Sequence, residues 1–437
     1  MSDHGERGPK SRRPYSRADH RARAHASAHS DAPLPPENTP DLPLVPKGAA
    51  PLLTTNEELH ELIEHLRASG KFAYDSEFIG ELTYHPKLCL VQVASATRVA
   101  LIDPLADIDL KPFWELLCDP AVEKIVHAGD QDVEPVVRHL NRAPANFFDT
   151  QIAAGFCALP YPVSLSKLVM ELTGAKLGKG LTFTHWDQRP LSPMQLRYAA
   201  DDVRFLPAVR AELGRRLEQT HHAGWAKEEC ESLCDASQYR FDKDTQYLRV
   251  KGSGSLQPRN LAVLRELTAW RDAAARKHDL PPRAFLKDEI LIDLARNPAK
   301  SVDKLERVRG LPRPVEHAHG NEIVEATQRG WSTPVTDLPQ QRTSEQTPTE
   351  RFRSDALWAA AQAICAGNRV DSAIVTSRQE MADFYHALVH KQDLSESRLM
   401  KGWRREALGE PLLELMGGTA TISLKWDDGT LRWTAEL

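Results

Sequence analysis

The sequence predicts an α/β domain, a mixed sheet covered by helices, followed by all-helical units. Three observations carry that expectation. Between 72 and 103 three short apolar runs follow one another with only turns between them, the spacing of a strand meander. Beyond 104 the apolar residues fall at helical spacing, interrupted by further short apolar runs, as in helices alternating with strands. From 258 onward the strongly periodic segments are helical, until two alternating segments flank Asp427-Asp-Gly429 near the end.

In order, 56–69 reads as a helix, with Leu59, Leu62, Ile63 and Leu66 at helical spacing and Thr55 or Asn56 as its cap. Segments 72–77, 88–94 and 99–103 read as strands; the last two are nearly continuous apolar runs, as in a buried sheet. A helix is expected over 110–117, a short strand over 124–127, a helix over 132–140 with Asp132 opening it, and a strand edge over 147–149. Helices then run to about Arg216, one of them over 193–206. Gly252-Ser-Gly254 marks a break. Segment 258–277 is an amphipathic helix with Leu261, Leu264, Leu267 and Trp270 inward, and short helices follow Pro281-Pro282 and Pro298. The expected organisation is a tail (1–50), an α/β domain (51–250), a helical domain (257–331), a linker (332–350), a second helical domain (351–418) and a β-hairpin extension (419–437).

Composition narrows the classes. With 41% hydrophobic and 27% charged residues, the 437-residue chain can bury several cores. The net charge of −5 conceals a gradient, because residues 1–30 hold seven Lys/Arg against three Asp/Glu. That tail, followed by a Pro-rich stretch, lacks the apolar residues that would offset its ordering entropy and reads as disordered. The six cysteines are scattered, which points to reduced thiols in a cytoplasmic protein; Cys230 and Cys234 read as buried thiols. Neither a signal-peptide core at the start nor an 18-residue apolar run is present, so a soluble protein is expected.

Four acidic residues suggest the chemistry. Asp75 and Glu77 lie two apart on a strand, so both carboxylates leave one face of the sheet. An unpaired charge inside an apolar strand is costly, and a cation between the two resolves it. Asp202 lies four residues after Tyr198 on one helix, placing an acid and a phenol on a shared face. Asp132 sits near the start of another helix, where an N-cap role is the competing reading. Carboxylates drawn from distant segments suit hard divalent cations, and phosphodiester hydrolysis uses two such ions side by side. A phenol beside them would orient the attacking water.

The order Asp-x-Glu, His-Ala-Gly-x-x-Asp, Phe-Asp-Thr-Gln and Tyr-x-x-x-Asp resembles the DEDD superfamily of 3′→5′ exonucleases, and the tyrosine resembles its DEDDy branch. Within that branch the chain is similar to the bacterial ribonuclease D family. Tyr74-Asp-Ser-Glu-Phe78, Leu101-Ile-Asp-Pro-Leu105, His127-Ala-Gly129, Asp149-Thr-Gln-Ile-Ala153, Trp186-x-x-Arg-Pro-Leu191 and Tyr198-Ala-Ala-Asp-Asp-Val203 carry the resemblance. It implies a ribonuclease H-like exonuclease fold in which Asp75, Glu77, Asp132 and Asp202 ligate two divalent ions, Mg²⁺ or Mn²⁺, with Asp75 between them. It also implies release of 5′-mononucleotides from RNA, with tRNA precursors as substrate. The segment Gly178–His185 departs from the family pattern, which leaves substrate preference open. A DNA exonuclease of the same branch is the alternative enzyme; a catalytically silent RNA-binding adaptor would be suggested by a missing carboxylate, and all four are present. His127 and Gln92 are candidate contacts to the terminal nucleotide, with buried packing the equal alternative for each.

The segment 258–331 resembles the HRDC domain through Leu264, Trp270-Arg271, Leu280-Pro281-Pro282-x-x-Phe285, Asp288 and Leu305-x-x-Val-x-Gly-Leu311. It holds 14 Lys/Arg against 11 Asp/Glu, and Lys304, Arg307, Arg309 and Arg313 gather near one turn. That cluster is either a shallow phosphate-binding patch or a solvated helix surface. Leu399-Met-Lys-Gly-Trp-Arg-Arg405 resembles the end of the same family, which makes 351–418 a degenerate second HRDC-like domain. The terminal hairpin lies outside the resemblance.

Overall fold

The computed structural model describes residues 41–80, 82–178, 184–339, 347–427 and 430–436. Most of the expected tail, the middle of the Gly178–His185 segment and 340–346 of the expected linker lie outside the described residues.

The α/β domain is built on a six-stranded mixed sheet in the order β1-β4-β3-β2-β5-β6. Its strands are β1 (Leu52–Leu53), β2 (Lys71–Ile79), β3 (Lys87–Ala94), β4 (Val99–Ile102), β5 (Glu123–Val126) and β6 (Phe147–Asp149). The two-residue β1, too short to show a period in the sequence, pairs parallel with β4. Helix α1 (Asn56–Ser69) forms where the sequence places it. The Thr55 hydroxyl accepts from the Glu58 N–H at 3.3 Å while the Glu58 carboxylate accepts from the Thr55 N–H at 3.1 Å. Gly70, at φ +68°, ends the helix in the left-handed conformation.

Strand β2 lies inside the sheet, antiparallel to β3 and parallel to β5. Its alternation sorts the domain into two layers. Phe72 and Tyr74 join Leu59, Val133 and, from α2 (Lys111–Leu117), Phe113 in one core; α3 (Asp130–Leu140) supplies Val133. Ala73 faces the other way, toward a core that includes α6 (Pro193–Arg204) and α7 (Leu206–Thr220). Between these sets of elements run α4 (Thr150–Gly155) and α5 (Leu165–Thr173), and α8 (Ala223–Glu231) follows.

The expected helix over 193–206 is two helices. Its turn at Phe205 is followed by Pro207, which has no N–H to continue the hydrogen-bond ladder. At the expected break, Gly252–Gly254, the chain runs through tight 3₁₀ turns, and Tyr247, Val250 and Leu256 pack into the core of the following helical unit. That unit is α9 (Pro258–Lys277), α10 (Asp288–Arg296) and α11 (Arg313–Trp331) around Leu264, Leu267, Leu291 and Ile323. A buried pair, Arg271 Nη1 to Asp288 Oδ1 at 2.8 Å, ties α9 to α10.

The second helical unit begins earlier than expected, because Thr347 and Glu350 form a capping box that starts α12 (Pro348–Gly367). With α13 (Arg378–Val389) and α14 (Glu410–Gly417) it does not build a core of its own. Leu357, Ile364, Phe384 and Trp403 pack in the same cluster as Ala73, Phe148 and Val203 of the α/β domain. Each fully buried side chain of this size stabilises by about 1.5–3 kcal/mol. Arg404 seals the joint with two 2.6 Å bonds to the Glu229 carboxylate. Strands β7 (Thr421–Asp427) and β8 (Thr430–Glu436) pair antiparallel as the expected hairpin.

Candidate active site

Three elements deliver the acidic residues. Asp75 and Glu77 share the β2 face that looks toward α6, with Gln92 and Leu90 as their partners on β3. The register slips between Glu77 and Phe78, a bulge that re-aims the end of the strand. From α6, Asp202 and Tyr198 come down on this face, and the Tyr198 hydroxyl donates to the Asp202 carboxylate. Trp186 packs beside the phenol at a ring separation of 6.2 Å.

Asp132 arrives from the other layer. The sequence pattern puts Asp132 at the opening of its helix, but α3 starts at Asp130 with Gly129 as cap, so Asp132 lies within the first turn. Its carboxylate caps nothing. It accepts from the Ser76 hydroxyl, while the Tyr74 hydroxyl donates to the Asp132 carbonyl at 2.8 Å. The side chains on the back of β2 therefore hold the helix that carries the fourth acid.

The turn into α3 is itself fixed by a buried carboxylate. Asp149 accepts from the N–H groups of Ala128 and Gly129 at 3.1 and 2.9 Å, and caps α4 through Gln151 and Ile152. A side chain at Gly129 would collide with Val126, its Cβ falling 2.6 Å from a valine methyl. Arg189 clamps Asp103 through two bonds of 2.6 Å and also donates to the Cys89 carbonyl, which anchors the Trp186–Leu191 segment on β3 and β4. Ser76, Asp149, Asp103 and Arg189 were visible only as parts of motifs. Their signal was a polar residue inside a short apolar strand or beside a turn.

The electrostatics are those of an acidic cluster. Burial raises every one of the four carboxyls: Asp75 to about 6, Glu77 to about 8 and Asp202 to about 9, with Asp132 well above its ordinary range. After burial, the Asp75 charge is the next largest cause at Glu77, Asp132 and Asp202. Among the described residues no Lys or Arg stands with the main groups that set these affinities. Tyr198 is pushed up by burial and then by Asp202. Among the described residues no three His, Cys, Asp or Glu stand at ready-made metal-ligand spacing. The donor set fits hard divalent cations, which are held by carboxylate oxygens. Gln92 adds to the fit; it is fully buried, opposite Asp75, and neither of its amide atoms has a protein partner among the described residues.

The other expected contacts divide. His127 has both ring nitrogens engaged, Nδ1 with Thr150 Oγ1 at 2.9 Å and Nε2 with the Val163 carbonyl at 3.0 Å. In the helical unit Arg313 pairs with Glu316 at 2.8 Å and Lys304 lies 3.4 Å from Asp303, while Arg307 and Arg309 are exposed. Cys230 is buried and free, and receives the Asp149 N–H; Cys234 is half-buried and free. A groove of about 730 Å³ borders the His127 side, lined by Val163, Lys167, Met170, Lys176 and Leu177 among others.

Fold and site define a class. Residues 52–218 match the family model described as a 3′–5′ exonuclease, and residues 260–327 match the HRDC domain. The chain is 37% identical over 382 residues to ribonuclease D of Gluconacetobacter diazotrophicus, covering 87% of this chain and 95% of that one. It is 32% identical over 372 residues to ribonuclease D of Bartonella henselae, covering 84% and 90%. The crystal structure of Escherichia coli RNase D, an exoribonuclease involved in structured RNA processing, superposes with a TM-score of 0.73 at 29% identity, covering 85% of this chain and 99% of that one. The chain belongs to the ribonuclease D family and is a 3′→5′ exoribonuclease. Membership implies dependence on divalent metal and binding of RNA. Among the described residues no helix is long and apolar enough to cross a membrane.

Proposed function

We propose that this chain trims the 3′ ends of structured RNAs, tRNA precursors among them, with two divalent cations held by Asp75, Glu77, Asp132 and Asp202. The carrying observation is the delivery of four buried, mutually interacting carboxylates and a phenol from β2, α3 and α6, with no Lys or Arg, among the described residues, in the main groups that shift them. When bound, such cations acidify water and offset charge on the departing 3′-oxygen. The protein's own groups do the rest. Asp202 holds the Tyr198 hydroxyl where it can orient the attacking water. Ser76 and Tyr74 hold Asp132. His127, fully engaged, frames the site, whereas the Gln92 amide keeps hydrogen-bonding capacity.

The match to a relative that processes structured RNA supports a folded substrate, and the HRDC unit supplies exposed Arg307 and Arg309 as phosphate contacts. Arg307→Gln with Arg309→Gln should weaken tRNA-precursor binding and reduce its salt dependence. Free, mostly buried thiols fit a reducing cytoplasm. The direct test is incubation of 3′-labelled and 5′-labelled RNA with Mg²⁺ or Mn²⁺ and with chelator. Stepwise release of 5′-mononucleotides from the 3′ end, abolished by chelator, is expected; turnover that persists in chelator would remove the two-metal reading.

A further inference from the structure

The loop between β2 and β3 leaves the catalytic strand two residues beyond Glu77 and reaches the HRDC unit. There the Tyr84 hydroxyl donates to Asp272 Oδ1 at 2.6 Å and accepts from Arg276 Nη2 at 2.8 Å. Arg276 also lies over the Tyr84 ring, 4.7 Å from its centre, and bonds to Asp272 at 3.2 Å. The Tyr84 N–H donates to Asp279 Oδ1 at 3.0 Å. Phenol, carboxylate and guanidinium thus form a closed network between two folding units, and a backbone bond reinforces it.

The next residue faces the opposite way. His85 Nδ1 stands 3.5 Å from the Glu134 carboxylate on α3, two residues after Asp132, and its ring meets Tyr84 edge-on at 4.7 Å. One short loop therefore touches the strand that carries Asp75 and Glu77, the helix that carries Asp132, and helix α9. The last paired rung of the hairpin is Ile79 with Lys87, only about 7 Å along the strand from Glu77. The bulge at Glu77 lies between the two, where the ladder is weakest.

We propose that Tyr84 is a positioning residue through which the HRDC unit sets the spacing of Glu77 and Asp132. The HRDC unit in this reading is a brace for the metal site as well as a surface for RNA. The inference rests on the proposed carboxylate ligands. It also means that deleting the HRDC unit would disturb chemistry, so loss of activity in a truncated chain says little about RNA binding.

The test uses the full-length chain with Tyr84→Phe and Asp272→Asn, beside Asp75→Asn as a control. Tyr84→Phe keeps the ring against Arg276 and removes only the hydroxyl. Mn²⁺ binding is measured by calorimetry without RNA, and kcat and KM on a single-stranded RNA too short to reach the HRDC unit. Both variants should bind Mn²⁺ about 2–30-fold more weakly, the range that packed networks transmit, and lose kcat with KM unchanged. Mn²⁺ affinity and kcat equal to wild type, with any loss confined to a tRNA-sized substrate, would reduce the network to a docking contact and overturn the proposal. Mn²⁺ binding unaffected by Asp75→Asn would instead overturn the ligand assignment on which it rests.

Discussion

Ser76 on the central strand donates its hydroxyl to the carboxylate of Asp132 on α3, so one of the four proposed ligand acids is held from the back of the strand that presents two others. The triplet Asp75-Ser-Glu77 is thereby a complete device. Its outer residues face α6, and its middle residue reaches the other layer to fetch the acid that the sheet face cannot supply.

Removing that hydroxyl should loosen Asp132 without unfolding the domain, because Tyr74 still binds the helix backbone. Ser76→Ala is expected to lose about 10–100-fold in activity or metal affinity, the usual effect of losing a group that orients a ligand. Ser76→Thr, which restores a hydroxyl, should recover most of it. Steady-state rates at several Mg²⁺ concentrations check this; an alanine variant indistinguishable from wild type would make the contact incidental.

Tyr198→Phe separates packing from proton handling. The ring stays against Trp186 while the hydroxyl bonded to Asp202 is lost. The expected result is kcat lower by about 10²-fold, on the scale of positioned proton-handling groups, with RNA affinity nearly unchanged. Equal rates would leave Tyr198 as a packing aromatic.

Stability should carry a pH signature. Asp75, Glu77 and Asp202 titrate at about 6, 8 and 9 in the folded chain, each above its unfolded value near 4. The folded state thus binds more protons than the unfolded state across this window, so these groups destabilise progressively as pH rises from about 4 to 9. Thermal midpoints of the metal-free protein should fall over that range. Added Mn²⁺ should raise the midpoint most at the alkaline end, and Glu77→Gln should flatten the metal-free curve. A midpoint that rises steadily from pH 5 to pH 9 without metal would contradict the repulsive cluster.

Much of this was legible in the residues because local rules decided it. Helix α1 with its Thr55 cap, the alternation that puts Asp75 and Glu77 on one face, and the Tyr198–Asp202 spacing all follow from periodicity and capping. What periodicity does not encode is which layers meet. Nothing in the sequence around Asp132 reveals that Ser76 holds it. Nothing around Trp403 reveals that the second helical unit completes the core beneath Phe148, because such contacts join segments far apart in the chain, 56 residues for Ser76 and Asp132 and many more for Phe148 and Trp403. The ion pairs of Arg313 with Glu316 and of Lys304 with Asp303 are different in kind, since each joins residues at most three apart and follows from local spacing.

The central claim is that the four carboxylates act by holding divalent cations. Asp75→Asn and Asp202→Asn test it most directly, with Mn²⁺ stoichiometry measured by calorimetry beside turnover of a 3′-labelled RNA. Wild-type protein should bind two Mn²⁺, each variant should lose binding, and turnover should fall by orders of magnitude while the thermal midpoint of the metal-free protein is kept or raised. Either variant retaining two Mn²⁺ and near-wild-type turnover would contradict the account.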